Sequence, residues 1–438
     1  MRPAAALLAL ASTLALVVAV APTAGRPARA ASLDPVIAWN GHAAAALFNS
    51  TSAAIPGAGY TPPPGSILMA MVQLAVFDAV NAIEGGYEPY ITGLASAPAS
   101  ASVEAAVATA AHDVLVGLQP QLPSAVSTRL DGLLATTLAG IPAGAGKAAG
   151  IAAGAGAAAA ILADRANDGR WGPYRFPLGS GPGAWVPTSG VNDPFAWVAE
   201  VRPFTMRSTD QFRTAGPATL NSARYAAEFA EVRSIGAAAS TTRSADQTAL
   251  ALYYTENPFT LYNRTFRLLA EREALSAIDA ARLFALLNAS GADAIIACWV
   301  DKARWSFWRP ITAIREAATD GNRATAADPA WTSLVASPPY PDHPSGYNCV
   351  TGAFMRAARE AFGGDATSFD VVNAAGVRRS YERFSDVSVD TIEGRILLGI
   401  HFRAADEQGA WLGEKVAGWV APRFLTPVNG RRVGQGGG

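Results

Sequence analysis

The sequence predicts an all-α protein, a helical bundle interrupted by one long irregular segment, and three observations carry that prediction. Apolar residues recur at three- and four-residue intervals through most of the 438 residues, half of which are hydrophobic. Alanine-rich runs of helical length are separated by breaks that contain proline or glycine. No stretch sustains the two-residue alternation of β-branched side chains expected of a half-buried strand. A chain this long and apolar buries a large core, as one helical domain or two fused bundles.

Residues 1–30 read as an address rather than as structure. Arg2 precedes an apolar run, and Ala28-Arg29-Ala30 forms a small-residue cleavage site, so the expectation is a secretory signal peptide and an exported protein. Cleavage there removes three arginines and no acid, taking the formal net charge from −1 to −4. Such a balance gives no reason to expect nucleic acid as a partner. No later run is expected to cross a membrane, and the nearest case, 148–163, built of alanine and glycine, is expected to serve close helix packing. Cys298 and Cys349 allow one disulfide in an oxidising compartment, but buried free thiols in apolar helices are the preferred reading.

The predicted body spans 31–425. Its first part, 31–166, holds helices at 34–49, 66–83, 102–118, 124–138 and 143–166. Thr61-Pro62-Pro63-Pro64-Gly65 is read as a stop before the second, and Gln119-Pro120 and Ile141-Pro142 as punctuation. Asp78 inside the second helix is read as a structural cap or ion pair. Gly144 to Gly150 resembles a phosphate loop only superficially, lacking a preceding strand and the hydroxyl after Lys147. From 167 to 215 glycine, proline and aromatic residues replace alanine, so this segment is expected to be irregular and to wall one side of a pocket. The third part, 216–425, carries helices at 221–235, 245–254, 259–271, 276–300, 311–317, 347–362, 371–384, 389–400 and 404–420. A tail follows at 426–438, of which 433–438 should fray.

The chemistry is concentrated in three pieces of that last part. In Lys302–Pro310 the two cations Lys302 and Arg309 lie seven residues apart, close to two turns, so a continuous helix would present both on one face. Pro344-Ser345-Gly346 precedes a helical run and offers a hydroxyl with free N–H groups at a positive helix end. Arg395 and His401 add a cation and an imidazole; at six-residue spacing they do not share one face of a regular helix, so either a helix ends between them or the long arginine side chain curls back. Together these groups describe a cage for a tetrahedral or trigonal oxyanion.

Lys-x6-Arg-Pro, Pro-Ser-Gly and Arg-x5-His, in that order, resemble the three-part signature of the vanadium-dependent haloperoxidases and the type 2 phosphatidic acid phosphatase superfamily. Phe77 to Ala82, and 281–294, are similar to stretches of bacterial secreted haloperoxidase-like proteins. The resemblance implies that Lys302, Arg309, Ser345, Gly346, Arg395 and His401 bind vanadate or phosphate. His401 would be the ligand to vanadium, or the nucleophile of a phosphatase that forms phosphohistidine. As a haloperoxidase the protein would use hydrogen peroxide to oxidise halide, with Lys302 polarising the peroxide oxygen; as an acid phosphatase it would hydrolyse a phosphomonoester. A catalytically impaired oxyanion-binding member is a third alternative. The family's acid position is held here by Tyr347, a poor proton shuttle near neutrality, and His343 is the candidate to replace it. Asp406 is the expected orienter of the imidazole, and Gly394 stands where a serine usually precedes the arginine. Pairing into a homodimer is an expectation with no specific interface signal behind it.

Overall fold

The computed structural model describes residues 34–118, 121–188 and 195–428. The proposed leader at 1–30, the Gln119-Pro120 break and the end of the tail lie outside the described residues.

The expected helices form, with instructive differences at their ends. α1 (Pro35–Phe48) is capped by Asp34, whose carboxylate accepts from Val36 N at 2.8 Å. α2 (Pro62–Glu84) starts four residues before the sequence reading. The three prolines do not stop it. They occupy its first turn, where a missing N–H costs nothing, and the first backbone bond is Gly65 N to Thr61 O. α3 (Val103–Gly117) and α5 (Ala145–Asp164) pack on α2 and on each other, α4 (Ser124–Gly140) lies against α3, and the glycine-rich run 144–150 simply enters α5. Asp78 is structural: buried in α2, it accepts from Tyr90 N and Ile91 N at 2.7 and 2.9 Å.

α4 rests on little apolar surface, with Val126 and Leu130 its buried residues. An electrostatic link assists: His112 of α3 is bonded through Nδ1 to Asp113 and through Nε2 to Asp131 of α4, at 2.8 and 2.9 Å. Burial lowers the imidazole pKa, but the two carboxylates outweigh it and raise the group above its ordinary value. A histidine whose pKa rises on folding stabilises fully below its unfolded value, and that contribution is lost as pH rises through the folded value. Thermal melts should therefore show stability falling above about pH 6.5, and Asp131→Asn should flatten that slope. Because Asp131 is exposed, the change should stay near or below about 1 kcal/mol.

α6 (Ala223–Ile235), α7 (Ala245–Tyr253) and α8 (Pro258–Arg272) lead to α9 (Ala277–Trp305), the 29-residue axis of the molecule. α9 is apolar on nearly all sides because it is surrounded, by α1, α2 and two later helices at 346–361 and 403–420. By length and composition α2, α5 and α9 each reach what a membrane crossing needs, contrary to the sequence reading; 94% of the apolar window of α2 and of α9 is buried inside the protein, against 28% for α5. After α10 (Pro310–Arg315) come α11 (Gly346–Ala361), α12 (Phe384–Leu397) and α13 (Arg403–Val420). α11 and α13 lie in backbone contact: a Cβ on Gly413 would stand 2.0 Å from Cys349 O, and one on Gly352 would stand 2.2 Å from Ala410 O. Cys298 and Cys349 are free thiols, both buried.

One predicted helix is a hairpin. Residues 366–383 form β1 (Ala366–Val372) and β2 (Arg378–Arg383), antiparallel, with Phe369 opposite Tyr381. Phe369, Val371 and Tyr381 turn to the core, while the residues between them are polar or charged. The alternation is present, but it is short and dominated by arginines rather than β-branched residues. The body also runs beyond 425: Val428 N bonds Gly86 O and Glu88 N bonds Thr426 O, so the start of the expected tail is paired.

The irregular segment is a strap clamped to α9. Asp293, fully buried, accepts from the backbone N–H groups of Phe204, Thr205 and Met206 at 2.7, 2.8 and 3.1 Å and from the Thr205 hydroxyl. Two turns on, Asp301 accepts from Thr214 N and Oγ1 at 2.6 and 2.7 Å. Trp185 N donates to Ser306 O, and Trp308 N to Gly183 O, just beyond the end of the helix.

Candidate active site

The first expectation to change is the face shared by Lys302 and Arg309. α9 ends at Trp305 because Ser306 takes a left-handed conformation, φ 39°, and Arg309 becomes the residue before Pro310 at the start of α10. The two cations are brought together by a ring instead. Tyr340 lies 5.1 Å from Lys302 Nζ and 4.9 Å from the Arg309 guanidinium carbon, measured to its centroid. Lys302 donates to the carbonyls of Pro341 and Asp342 at 2.6 and 3.1 Å. Arg309 donates through Nε to Tyr340 O and through Nη1 to Ile400 O, leaving Nη2 buried without a partner.

Arg309 Nη1 also lies 3.4 and 3.3 Å from the two ring nitrogens of His401. His401 follows the end of α12, where Gly399, at φ 77°, turns the chain in a conformation closed to most side chains. The helix thus ends between Arg395 and His401, one of the two arrangements their spacing allows. The orienting carboxylate is Asp342, not Asp406: Asp342 Oδ1 stands 2.7 Å from His401 Nδ1. Asp406 instead accepts from Asn348 Nδ2 at 2.8 Å, and Thr391 Oγ1 donates to Asn348 Oδ1, tying α11, α12 and α13 together behind Ser345.

Electrostatics sharpen the picture. Burial and the charges of Arg309, Lys302 and Arg395 push the His401 pKa far below its ordinary value, so the ring is neutral. With Nδ1–H given to Asp342, the lone pair lies on Nε2. Burial lifts Asp342 to about 7, with Arg309 and Lys302 opposing, and lowers Lys302 to about 8. Ser345 begins α11 without capping it, so the N–H groups of its first turn have no side-chain acceptor.

A cavity of about 280 Å³ opens to these groups. His401, Arg395, Gly346 and Tyr347 line its inner end, and its mouth is formed by the starts of α2 and α8. Lys302, Arg309 and Ser345 sit behind that surface. His343 is placed elsewhere: it is fully buried, its Nε2 lies 3.1 Å from Thr214 Oγ1 of the strap, and burial pushes its pKa down to about 3. Among its described residues the strap contributes nothing to the lining, so it packs as a brace on α9 rather than as a wall of the pocket.

Residues 282–430 match the family model of the second helical-bundle domain of VCPO. The vanadium chloroperoxidase of Curvularia inaequalis is 32% identical over 151 residues, which covers 28% of this chain and 24% of that enzyme, so the chain spans about a quarter of the relative it matches. A bacterial vanadium-dependent iodoperoxidase superposes with a TM-score of 0.74 at 22% identity, over 91% of this chain and 97% of that one. An apo bacterial vanadium-dependent chloroperoxidase superposes at 0.68 and 18% identity, over 83% and 94%. Residues 282–430 are thus similar in sequence to a vanadium chloroperoxidase domain, and the chain shares the fold of the bacterial vanadium haloperoxidases.

For a vanadium haloperoxidase-like protein, the question is whether these residues suit vanadate, and they do. The inner end of the cavity and the groups just behind it combine unpartnered guanidinium nitrogens on Arg395 and Arg309, uncapped helix N–H groups and a neutral imidazole whose Nε2 lies 3.3 Å from Arg309 Nη1. That is a donor set for an oxyanion with one position left for a nitrogen ligand. Sequence reasoning missed Asp342, Asn348, Thr391 and Tyr340. Asp342 lies in the rigid lead-in 338–343, and nothing in its local pattern signals a partner fifty-nine residues away.

Proposed function

We propose that the protein is a vanadate-dependent peroxidase that uses hydrogen peroxide to oxidise halide. The observation that carries this reading is the neutral His401, oriented by Asp342 and facing a cavity lined by a cation and by an uncapped helix start. When bound, vanadate supplies the centre at which peroxide is activated. Arg309 and Arg395 fix its oxygens, the first turn of α11 adds backbone donors, and Ser345 adds a hydroxyl. His401 gives the lone pair of Nε2. Asp342 holds the proton on Nδ1, and its low-dielectric surroundings keep that hydrogen bond strong. Lys302, through its bonds to the 341 and 342 carbonyls, keeps Asp342 aimed. Secretion through the leader at 1–30 belongs to the same proposal.

A paired assay tests the reading. Bromide-dependent halogenation of a phenol by peroxide should require added orthovanadate, while aryl phosphate hydrolysis without vanadate should be absent. Phosphate release inhibited by vanadate would replace this function with a phosphatase. Asp342→Asn keeps the shape of the orienting group and removes its charge, so orthovanadate affinity should fall about 10- to 100-fold, as for other groups that orient a ligand; titration calorimetry checks this.

A further inference from the structure

Tyr347 stands where the family signature has a proton-donating histidine, and the geometry points to a different task for it. We propose that Tyr347 is a positioning residue that holds Arg395 through the face of its ring, and that its hydroxyl takes no part. This rests on the oxyanion reading of the site and extends it to a residue that reading leaves unexplained.

The guanidinium carbon of Arg395 lies 4.8 Å from the centroid of the Tyr347 ring. Arg395 needs such a support, because its Nη1 bonds the Tyr254 carbonyl at 3.1 Å while its Nε has no partner. The ring is itself fixed edge-on by Tyr254 and Tyr262, at centroid distances of 6.1 and 6.5 Å. Two near-perpendicular ring contacts, at interplanar angles of 82° and 74°, fix the orientation of the Tyr347 ring beside the cation. The hydroxyl, by contrast, is buried beside the Tyr262 hydroxyl, which is itself paired with Thr351 at 2.7 Å. Burial, only partly opposed by Arg395, carries the phenol well above its ordinary pKa. A group so placed neither gives nor takes a proton in the working range. A desolvated cation over an aromatic face contributes enough to matter for a guanidinium that must keep its position while the site fills and empties.

The test is a set of orthovanadate titrations by calorimetry on the whole protein at fixed ionic strength. Tyr347→Phe keeps the ring and should stay within about threefold of the parent affinity, whereas Tyr347→Leu should bind about tenfold more weakly. In an Arg395→Ala background Tyr347→Leu should add nothing. Tyr347→His should introduce a pH dependence of affinity between about pH 5 and 8 that the parent lacks. Equal losses in the Phe and Leu variants would assign the role to the hydroxyl and overturn the proposal, as would an undiminished Leu variant. If the parent binds no orthovanadate, the oxyanion reading fails by itself, and the proposal is then decided by thermal melts. The Tyr347→Leu and Arg395→Ala losses should be sub-additive, and additive losses would overturn it. Tyr347→Met serves if the Leu variant does not fold.

Discussion

Replacing His401 with alanine should abolish vanadate-dependent halide oxidation and weaken orthovanadate binding by more than about 100-fold, beyond what the loss of an orienting group costs. The reason is chemical rather than steric. The other groups at the inner end of the cavity are hydrogen-bond donors or cations, and they attract any oxyanion of suitable size. Only the imidazole, neutral and with Nδ1 committed to Asp342 at 2.7 Å, supplies a nitrogen lone pair. The variant should therefore bind phosphate and vanadate with similar, modest affinity, while the parent prefers vanadate. Calorimetric titration with both anions, with circular dichroism to verify the fold, makes the comparison. A variant that keeps the parent's preference would mean that the cations alone hold the anion.

Asp293→Ala should lower the free energy of unfolding by about 4 kcal/mol, read as a shift in the urea midpoint. Asp293 is fully buried and has no cationic partner; its charge is balanced by three backbone N–H groups and the Thr205 hydroxyl. Truncation strands those donors in the interior, and each buried donor left unpaired costs about 1–3 kcal/mol before relaxation. The strap should loosen from α9 around 204–206, making this stretch a site of early proteolysis. Resistance to protease equal to the parent's would count against the strap being held there.

Much of this was legible in the sequence because periodicity and local chemistry report faithfully on long helices. The axis α9 and the ordered appearance of Lys302, Arg309, Ser345, Arg395 and His401 could be read from residue type and spacing. What could not be read depended on residues far apart in the chain. Ser306 carries no strong breaking propensity, yet its left-handed turn separates Lys302 from Arg309 and lets the strap bond Ser306 and Trp308. Asp406, close to His401 in the chain, was the candidate that spacing offered, and only the folded chain brings Asp342, fifty-nine residues away, to the imidazole. The hairpin at 366–383 was hidden because its outward positions are arginines and its inward ones are few. The prolines at 62–64 were misread because the same residue that breaks a helix interior begins a helix well.

Those prolines also bear on the traffic of ions. At the mouth of the cavity α2 presents a positive end, but its first three residues have no N–H to offer. An anion drawn by that field would find no backbone amide on those three residues to rest on and would be passed on to Gly346, Arg395 and His401. Capture and retention would thereby be separated in space. Added salt should slow entry, which depends on long-range attraction, far more than it hastens departure from the buried donors.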